Sequence, residues 1–467
     1  MLERLGLLRQ RDYLKYWSAS TISLFGTQVS QIAIPVIAVL LLDATPFEVG
    51  LLATVEALPW IFFTLPAGVW VDRLPRRRIL VGGDLGRAIV LGSIPVAWAL
   101  GVLTIWQLYL VGFANGVLTV FFDVADQSYL PTVVDRERLV EGNSKLQVSA
   151  SAAQILGQPV GGSIVAIVSA PFAVTVDALS YVGSAALISR VKRVEAPRSG
   201  PGRDGKSAAG SGMRTEMAEG LRYVLGHPIL RSIAACTGAS NLCTNIVFAV
   251  FAVYVYRDLG LSPAAIGLIG GIGGFGILAG ALVANRLATR FGVGRTIVGS
   301  AVLYGPAGLL IPLAPPDLAL PFFAAATFLS SSLAIIYNVN QVSLRQAITP
   351  ERLLGRLNGT MRFLVWGTMP IGSLLGGILA TVLGTHEAIW IGSILLVFTF
   401  LPLLFSPVLG LERIPPQATD EVPGEGSAVD VVTDVSAGDL DLRLAGGAVD
   451  ERVVGGAVEP VTYPDPD

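Results

Sequence analysis

The feature that most constrains this chain is a series of about twelve apolar runs, each long enough to cross a bilayer as a helix. Of its 467 residues, 52% are hydrophobic and 14% are charged, and a soluble fold has no way to bury so many long apolar segments. We therefore predict an all-α membrane protein with twelve transmembrane helices. The predicted spans are 14–42, 47–71, 79–101, 104–129, 143–168, 171–190, 229–256, 263–286, 294–314, 318–343, 357–383 and 387–409.

Lysine and arginine lie almost entirely on one side of these spans. Of 32 basic residues, only Arg87 and Arg257 fall outside the two terminal segments and one set of connections. Those connections are 72–78, 130–145, 190–231, 286–295 and 345–362. The connections near 43–48, 100–105, 169–171, 314–318 and 384–387 carry none. Cytoplasmic loops are enriched in basic residues, so we expect a multi-pass protein of the plasma membrane with both termini in the cytoplasm.

The two halves of the chain share a pattern. Asn143 is matched by Asn358, and Gly161-Gly162 is matched by Gly376-Gly377, each at an offset of 215 residues. Parallel patterns of this kind are typical of a duplicated transporter, and they predict two pseudo-repeated six-helix bundles. The predicted divisions are an N-terminal bundle over 1–190, a cytoplasmic linker with an amphipathic helix over 191–228, a C-terminal bundle over 229–410 and a disordered acidic tail over 411–467.

The net charge of −2 conceals two oppositely charged parts. Residues 411–467 hold 13 acidic and 3 basic residues, and the rest of the chain holds 21 acidic and 29 basic residues. The tail has too few apolar side chains to bury a core, which predicts disorder. In the linker, Met213, Met217, Leu221 and Val224 fall on one helical face, which predicts a helix on the inner leaflet or under the second bundle.

A basic loop joins the second and third spans, with the sequence Gly68-Val-Trp-Val-Asp72-Arg73-Leu-Pro-Arg76-Arg77-Arg78. A loop that carries arginine for orientation alone explains its last three residues but not the spacing of Gly68, Asp72 and Arg73. The pattern resembles the Gly-x-x-x-Asp-Arg-x-x-Arg-Arg loop of the major facilitator superfamily, and it recurs as Gly280 with Asn285-Arg286. The opening Arg11-Asp12-Tyr-Leu-x-x-Trp17 and the central linker resemble the siderophore (enterobactin)-exporter and macrolide-efflux branch.

This resemblance covers about residues 8–410 and implies transport by alternating access, with the basic loop and nearby charges as gates. Asp84 and Arg87, one helical turn apart, are expected to pair with each other or with loop charges. The predicted gating residues are Gly68, Asp72, Arg73, Arg76, Arg77, Asp84, Arg87, Asp123, Asp126, Asn285 and Arg286. For Asp84, Arg87, Asp123 and Asp126, contact with the substrate is the alternative. Gly157-Gln-Pro159-Val-Gly161-Gly162 resembles the antiporter motif Gly-Pro-x-x-Gly-Gly, with its proline displaced by one position.

Glu56 is the ionisable residue that the sequence singles out within the membrane. It lies about 15 residues, or roughly 22 Å, from the cytoplasmic end of the second span, and the residues after it are apolar. Because desolvation favours the neutral form of a carboxyl group, Glu56 is the candidate for proton coupling. We expect it to be the one carboxylate deep in the first bundle. A structural glutamate that is hydrogen-bonded to a neighbouring helix is the alternative.

Uncharged polar side chains are spread over several spans, which favours a polar-speckled central cavity, although each could instead join two helices by a hydrogen bond. The candidates are Gln28, Gln31, Asn115, Gln154, Gln158, Asn241, Asn245, Asn338 and Gln341. Gly271-Ile-Gly273-Gly-Phe-Gly276 matches a dinucleotide fingerprint, but no strand precedes it and no acid follows about 20 residues later, so we interpret it as a helix-packing surface.

These observations predict a secondary active transporter, not an enzyme, that exports a small amphipathic molecule such as a drug or siderophore in exchange for protons. No Walker motif occurs and both histidines lie at loop ends, so we expect no cofactor and no metal site. The expected partners are the substrate, protons and the lipid bilayer, with no nucleic acid, and the expected assembly is a monomer. An importer or uniporter of the same fold and a non-transporting membrane scaffold or sensor are the alternatives.

Overall fold

The computed structural model describes residues 3–135, 138–192 and 213–414, and every regular element in these ranges is a helix. The first half contains α1 (Arg11–Val36), α2 (Pro46–Phe62), α3 (Thr64–Arg73), α4 (Arg76–Ala99), α5 (Ile105–Val133), α6 (Leu139–Val168) and α7 (Ala170–Ser189). The linker contains α8 (Met213–Gly226). The second half contains α9 (Pro228–Val253), α10 (Pro263–Phe291), α11 (Val293–Leu309), α12 (Ala319–Ala347), α13 (Glu351–Trp366), α14 (Thr368–Leu383), α15 (Thr385–Val397) and α16 (Leu401–Leu404). Turns of π-helix continue α1 over Ile37–Leu41 and α9 over Tyr254–Asp258, and short 3-10 helices lie at Glu3–Arg9, Pro316–Leu318 and Pro407–Gly410.

Ten helical segments among the described residues are long and apolar enough to cross a membrane. This is two fewer than the sequence predicts. The two other predicted spans, 47–71 and 294–314, coincide with α2–α3 and with α11, and α2 and α11 are each 17 residues long. The all-helical membrane architecture is confirmed, and the count of twelve stays a prediction.

Large apolar side chains remain exposed on the helices. Ile89, Trp106, Ile167 and Phe405 are between 74% and 84% exposed. Soluble monomers rarely expose extended apolar patches, whereas lipid tails are as apolar as these side chains. The exposed surface therefore agrees with a multi-pass membrane protein.

The predicted span 387–409 is broken between Val397 and Leu401, and two more predicted spans, 47–71 and 357–383, are each broken just before a proline. The break after Phe62 precedes Pro66 by four residues, and the break after Trp366 precedes Pro370 by four. Proline has no N–H to donate to the carbonyl group four residues earlier, so the helix loses a bond at that point. The two regions broken before a proline meet across the two halves, because the rings of Trp60 and Trp366 pack edge to face with centroids 5.6 Å apart.

Matched glycines bring the halves together. Gly161 packs on α1 and Gly162 packs on α10, while Gly376 packs on α9 and Gly377 packs on α2. In each pair, one glycine thus contacts its own half and the next contacts the other half. A methyl group on Gly162 would lie 3.0 Å from the Cα atom of Gly267, closer than side chains normally pack.

The glycine-rich motif of α10 is a helix-packing surface, as predicted. Gly271 and Gly274 lie against α6, and Gly273 and Gly276 lie against α12. The segment before the motif is helical rather than a strand, because α10 begins at Pro263. The motif therefore serves close helix contact and not dinucleotide binding.

The linker helix α8 lies against the second half. Glu219 pairs with Arg356 of α13, Gly220 contacts Thr360, and Val224 is fully buried. The predicted amphipathic helix is thus present and packs on protein. The side chains of Met213 and Met217, also predicted on its apolar face, lie outside the part that the structure describes.

The first residues of the predicted tail belong to the helical body. The N–H groups of Val293 and Gly294 donate to the carbonyl oxygens of Glu412 and Leu411, at 3.2 and 2.8 Å. These bonds tie residues 411–412 to the start of α11. The rest of the predicted tail, residues 415–467, lies outside the described residues, and so does the predicted linker segment 193–212.

Candidate functional site

A cleft lies between the two halves. Its first cavity has a volume of about 1190 Å³ and is lined by α1, α2 and α4–α7 together with α9–α12 and α15. Its second cavity has a volume of about 1140 Å³ and lies chiefly against α9, α12 and α13. The two cavities share the lining residues Trp60, Ile277, Tyr304 and Ser331, so they are adjacent. A cleft between repeated halves is where transporters of this architecture bind their cargo.

The carboxyl group of Glu56 lies on the wall of the first cavity. Gly112 of α5 provides the space, because a methyl group there would lie 2.8 Å from the Cγ atom of Glu56. Among the described residues, no hydrogen bond or ion pair reaches this carboxyl group. A carboxyl group inside the membrane with no protein partner is stable when it is neutral or when a ligand brings a positive charge. The arrangement suits proton coupling, which stays a prediction.

Arg87 lies in a pocket made of aromatic rings and one carboxylate. Its guanidinium group pairs with Asp84 one turn earlier on α4, and both side chains are almost fully buried. The rings of Phe122 and Tyr181 flank the guanidinium group, with centroids 4.0 and 4.2 Å from its carbon. Of the two partners that the sequence allows for Asp84, the structure shows Arg87, so their charges offset each other.

Asp123 and Asp126 of α5 line the first cavity. They lie toward the basic face, by which we mean the helix ends that carry the arginine-rich connections. The hydroxyl group of Tyr16 donates to Oδ1 of Asp126 at 2.7 Å. Within the described residues, neither aspartate forms an ion pair. The predicted gating role of these two carboxylates stays a prediction.

Asp177 of α7 is a second deep carboxylate in the first half, so the expectation that Glu56 stands alone there is wrong. Asp177 is 1% exposed, and its Oδ1 accepts a hydrogen bond from Ser180 Oγ at 3.2 Å. Gly26 of α1 leaves room for it. Its Oδ2 is buried without a hydrogen-bond partner, and the residue lines the first cavity. The signal was available, since an aspartate inside the apolar run Ala170–Ser189 is the pattern that identified Glu56.

Comparison with known proteins assigns the family. Residues 4–438 match the model of the family described as transmembrane secretion effectors, within the major facilitator superfamily. The chain belongs to this family. It is 28% identical over 374 residues to the multidrug efflux pump Tap of Mycolicibacterium fortuitum, covering 77% of this chain and 87% of that protein. It is 26% identical over 420 residues to Tap of Mycobacterium tuberculosis (strain ATCC 25618 / H37Rv), covering 87% of this chain and 96% of the relative.

Solved structures agree on the fold. A bacterial homologue of the iron transporter ferroportin, in an inward-facing state, superimposes with a TM-score of 0.68 at 17% identity, covering 85% of this chain and 98% of that chain. At this identity the likeness shows the fold alone. The family is a family of transporters, so this member is a membrane transporter and not an enzyme.

Most of the polar residues predicted for the cavity do line the cleft of this facilitator. Gln31, Asn115, Gln154 and Gln158 line the first cavity, and Asn241, Asn338 and Gln341 line the second. Two candidates lie elsewhere. Gln28 packs against Gly157 of the antiporter-like motif, and the side chain of Asn245 donates to the carbonyl group of Asn241 at 2.8 Å. Pro159 of the same motif packs on α10 at Gly271.

The basic loop of the facilitator pattern runs from the end of α3 into α4. Asp72 and Arg73 end α3, and their side chains lie outside the part that the structure describes. Arg77 donates to the carbonyl group of Ser189 at the end of α7. A methyl group on Gly68 would meet open space, so the close contact that a motif glycine serves is not made at this position.

Three other predicted gating residues lie near helix ends at the basic face. Arg76 is partly buried at the start of α4. Asn285 and Arg286 are exposed on α10, before the connection to α11. Their gating role stays a prediction.

Arg257 joins the two halves at the face opposite the basic loops. Its Nη2 donates to Oδ1 of Asp43 at 2.7 Å and to the carbonyl groups of Val39 and Ala44 at 3.1 Å each. Asp43 has a φ of +49°, a conformation that non-glycine residues adopt only when their surroundings hold them. This clasp of Arg257 on the connection after α1 explains why one arginine lies outside the basic face.

Proposed function

We propose that this protein is a proton-coupled efflux transporter that moves a small amphipathic molecule, such as a drug or siderophore, by alternating access. The observation that carries the proposal is the cleft between the two halves, with the unpartnered carboxyl group of Glu56 on its wall. The mycobacterial relatives, which are named multidrug efflux pumps, support the direction of transport.

We also propose twelve membrane spans in two six-helix bundles, divided as the sequence predicts except that residues 411–412 join the second bundle, in a monomer with both termini in the cytoplasm. The α2–α3 pair and α11 supply the two spans beyond the ten long apolar segments. A helix of 17 residues is roughly 26 Å long, close to the hydrocarbon thickness of a bilayer. The one-sided distribution of arginine and lysine supports the orientation.

Glu56 would couple protons to cargo because its carboxyl group, which has no protein partner in the described part of the chain, can bind either a proton or the cargo. A proton that enters from outside neutralises the carboxyl group, and cargo that binds from inside favours release of that proton. The two ligands then weaken each other's binding, which is the linkage that an antiporter requires. Such a carboxyl group needs no other protein partner, and none reaches Glu56 among the described residues.

The test has two stages. Accumulation of a panel of antibiotics and siderophores is compared in cells with and without the gene, and the cargo found is then followed in proteoliposomes with and without a pH gradient. Glu56→Gln should abolish uphill flux driven by the gradient and leave downhill exchange at least partly intact. Glu387→Gln, the same change at an exposed residue of α15, should behave as the wild type. Uphill flux by Glu56→Gln would exclude Glu56 as the coupling group.

Accumulation in the opposite direction would favour an importer. Downhill flux that ignores the pH gradient would favour a uniporter, and no flux of any compound would favour a scaffold or sensor.

A further inference from the structure

We infer that the first cavity selects cargo that carries a positive charge, and that carboxylates of the first half bind this charge. The inference deepens the proposed function, on which it rests for the identification of the cavity as the cargo site. It names the class of substrate, a cationic amphiphile.

The charged residues on the wall of the first cavity are strongly unbalanced. Four carboxylates line it, whereas Arg87 is the one lysine or arginine among its described lining residues. Asp84, buried behind the wall, already pairs with Arg87. The four lining carboxylates, none of which forms an ion pair in the described part of the chain, are Glu56, Asp123, Asp126 and Asp177.

One of these carboxylates has an unused acceptor that points to a ligand. Oδ2 of Asp177 is buried and accepts no hydrogen bond, although Oδ1 of the same group is bonded to Ser180. Buried polar atoms are nearly always satisfied in proteins, and the neighbouring hydroxyl group of Ser30, on the same cavity wall, also lacks a hydrogen-bond partner, so a ligand in the cavity could complete both groups. A cation suits this oxygen, because it would offset the negative charge of the carboxylate, whereas an anion would add repulsion.

The remainder of the wall suits the body of such a molecule. Trp60, Phe122, Phe248, Phe251 and Tyr304 line the first cavity. Aromatic faces attract cations as well as apolar groups, and the attraction grows where water is excluded. The volume of about 1190 Å³ accommodates a drug-sized molecule.

The second cavity has the opposite character. Arg345, Arg356 and Arg362 line it, and no carboxylate does so among the described residues. Arg356 is already paired with Glu219, whereas Arg362 lies over the ring of Trp366 at 4.6 Å. An anionic cargo would therefore find its partners in the second cavity. The relative affinity of the whole protein for a cation and for an anion of the same shape then shows which cavity binds cargo.

Tetraphenylphosphonium and tetraphenylborate test this choice, because they share size and shape and differ in the sign of their charge. Binding of each to the purified full-length protein in detergent is measured by equilibrium dialysis against protein-free micelles. We expect tetraphenylphosphonium to bind at least tenfold more tightly than tetraphenylborate. Equal binding, or tighter binding of the borate, would overturn the inference without any variant.

Two variants then locate the site. Asp177→Asn and Glu56→Gln should each weaken tetraphenylphosphonium binding about tenfold and leave tetraphenylborate binding unchanged or tighter. Asp317→Asn, which removes the same charge from an exposed residue outside both cavities, should change neither. Size-exclusion profiles check that the variants are folded. Wild-type affinity for the phosphonium in both cavity variants would overturn the assignment to these carboxylates.

The two proposals fail separately. Binding of a cation without proton-driven flux in proteoliposomes would remove the proposed function and keep the charge preference. Proton-driven flux in a protein that prefers the borate would keep the function and remove this inference.

Discussion

Gly162 shows how a single residue sets the distance between the two halves. A methyl group at this position would collide with the backbone of α10, including the Cα atom of Gly267 at 3.0 Å. A methyl group on Gly183 of α7 would have no atom outside its own helix within 4 Å. The two glycines therefore make a matched pair.

We predict that Gly162→Ala and Gly183→Ala have opposite effects on stability. Overpacking at Gly162 should lower the free energy of unfolding by about 1–3 kcal/mol. At Gly183, alanine should raise it by up to about 1 kcal/mol, because alanine restricts the unfolded chain and favours helix. Thermal unfolding of both variants in detergent measures the difference. Equal midpoints would mean that the α6–α10 contact is looser than described.

The predicted gating role of Asp72 rests on the sequence alone, because its side chain lies outside the part that the structure describes. A carboxylate there can accept hydrogen bonds from helix N-terminal amides and pair with arginines of the loop, which would steady the state open to the outside. We predict that Asp72→Asn lowers transport at least tenfold while expression stays near normal. Asp317→Asn serves as the control for the loss of one negative charge. Transport near the wild-type rate would remove Asp72 from the gating mechanism.

At the scale of elements, the ends of α1 and α9 form the closure at the face opposite the basic loops. Both helices end in a π turn, and Arg257 bonds from the end of α9 to the connection that follows α1. Bonds that exist in one state and must break in the other bias a conformational equilibrium by their own free energy. In the proposed alternating-access cycle, this clasp would therefore favour the conformation that is closed at this face.

We predict that Arg257→Ala opens that face. Spin labels on cysteines introduced by V102C and L318C, exposed positions in the two halves, report the separation by double electron–electron resonance. A population at longer distance should appear in Arg257→Ala. The native cysteines are buried, so labelling is directed to the new sites. Arg290→Ala, at an exposed arginine of α10, is the control, and identical distance distributions in all three proteins would contradict the clasp.

At the scale of the whole molecule, contacts with the helical body, and not composition, set where the acidic tail begins. Leu411 and Glu412 accept hydrogen bonds from the start of α11, so the helical body extends past the limit that composition suggests. We predict that truncation after Ile414 preserves folding and transport, whereas truncation after Gly410 lowers the unfolding temperature by several degrees. Size-exclusion profiles, thermal unfolding and flux measure this difference. Loss of folding after removal of 415–467 would mean that the tail docks on the body.

The apolar runs, the arginine distribution and the repeated glycines predicted a duplicated helical membrane transporter, because burial in lipid imposes length and polarity rules that are local in sequence. The family match and the helical structure bear out a helical membrane transporter, and its duplication into two six-helix bundles stays a prediction. Glu56 was also found from sequence, since a charge in an apolar run is visible without knowing its neighbours.

Other features required the tertiary structure. Sequence could not show that Asp84 pairs with Arg87, or that Asp177 lies on a cavity wall, because contacts depend on which helix faces meet. Nor could it separate Gln28, packed on α6, from Gln31 in the cavity, since both lie on one apolar helix. The sequence by itself predicted which segments lie in lipid and which lie in water, because the free energies of transfer of the residues add along the chain. Only the packing of helices distant in sequence decided which polar groups share a cavity, because a side chain's partners are set by three-dimensional contact and not by its chain neighbours.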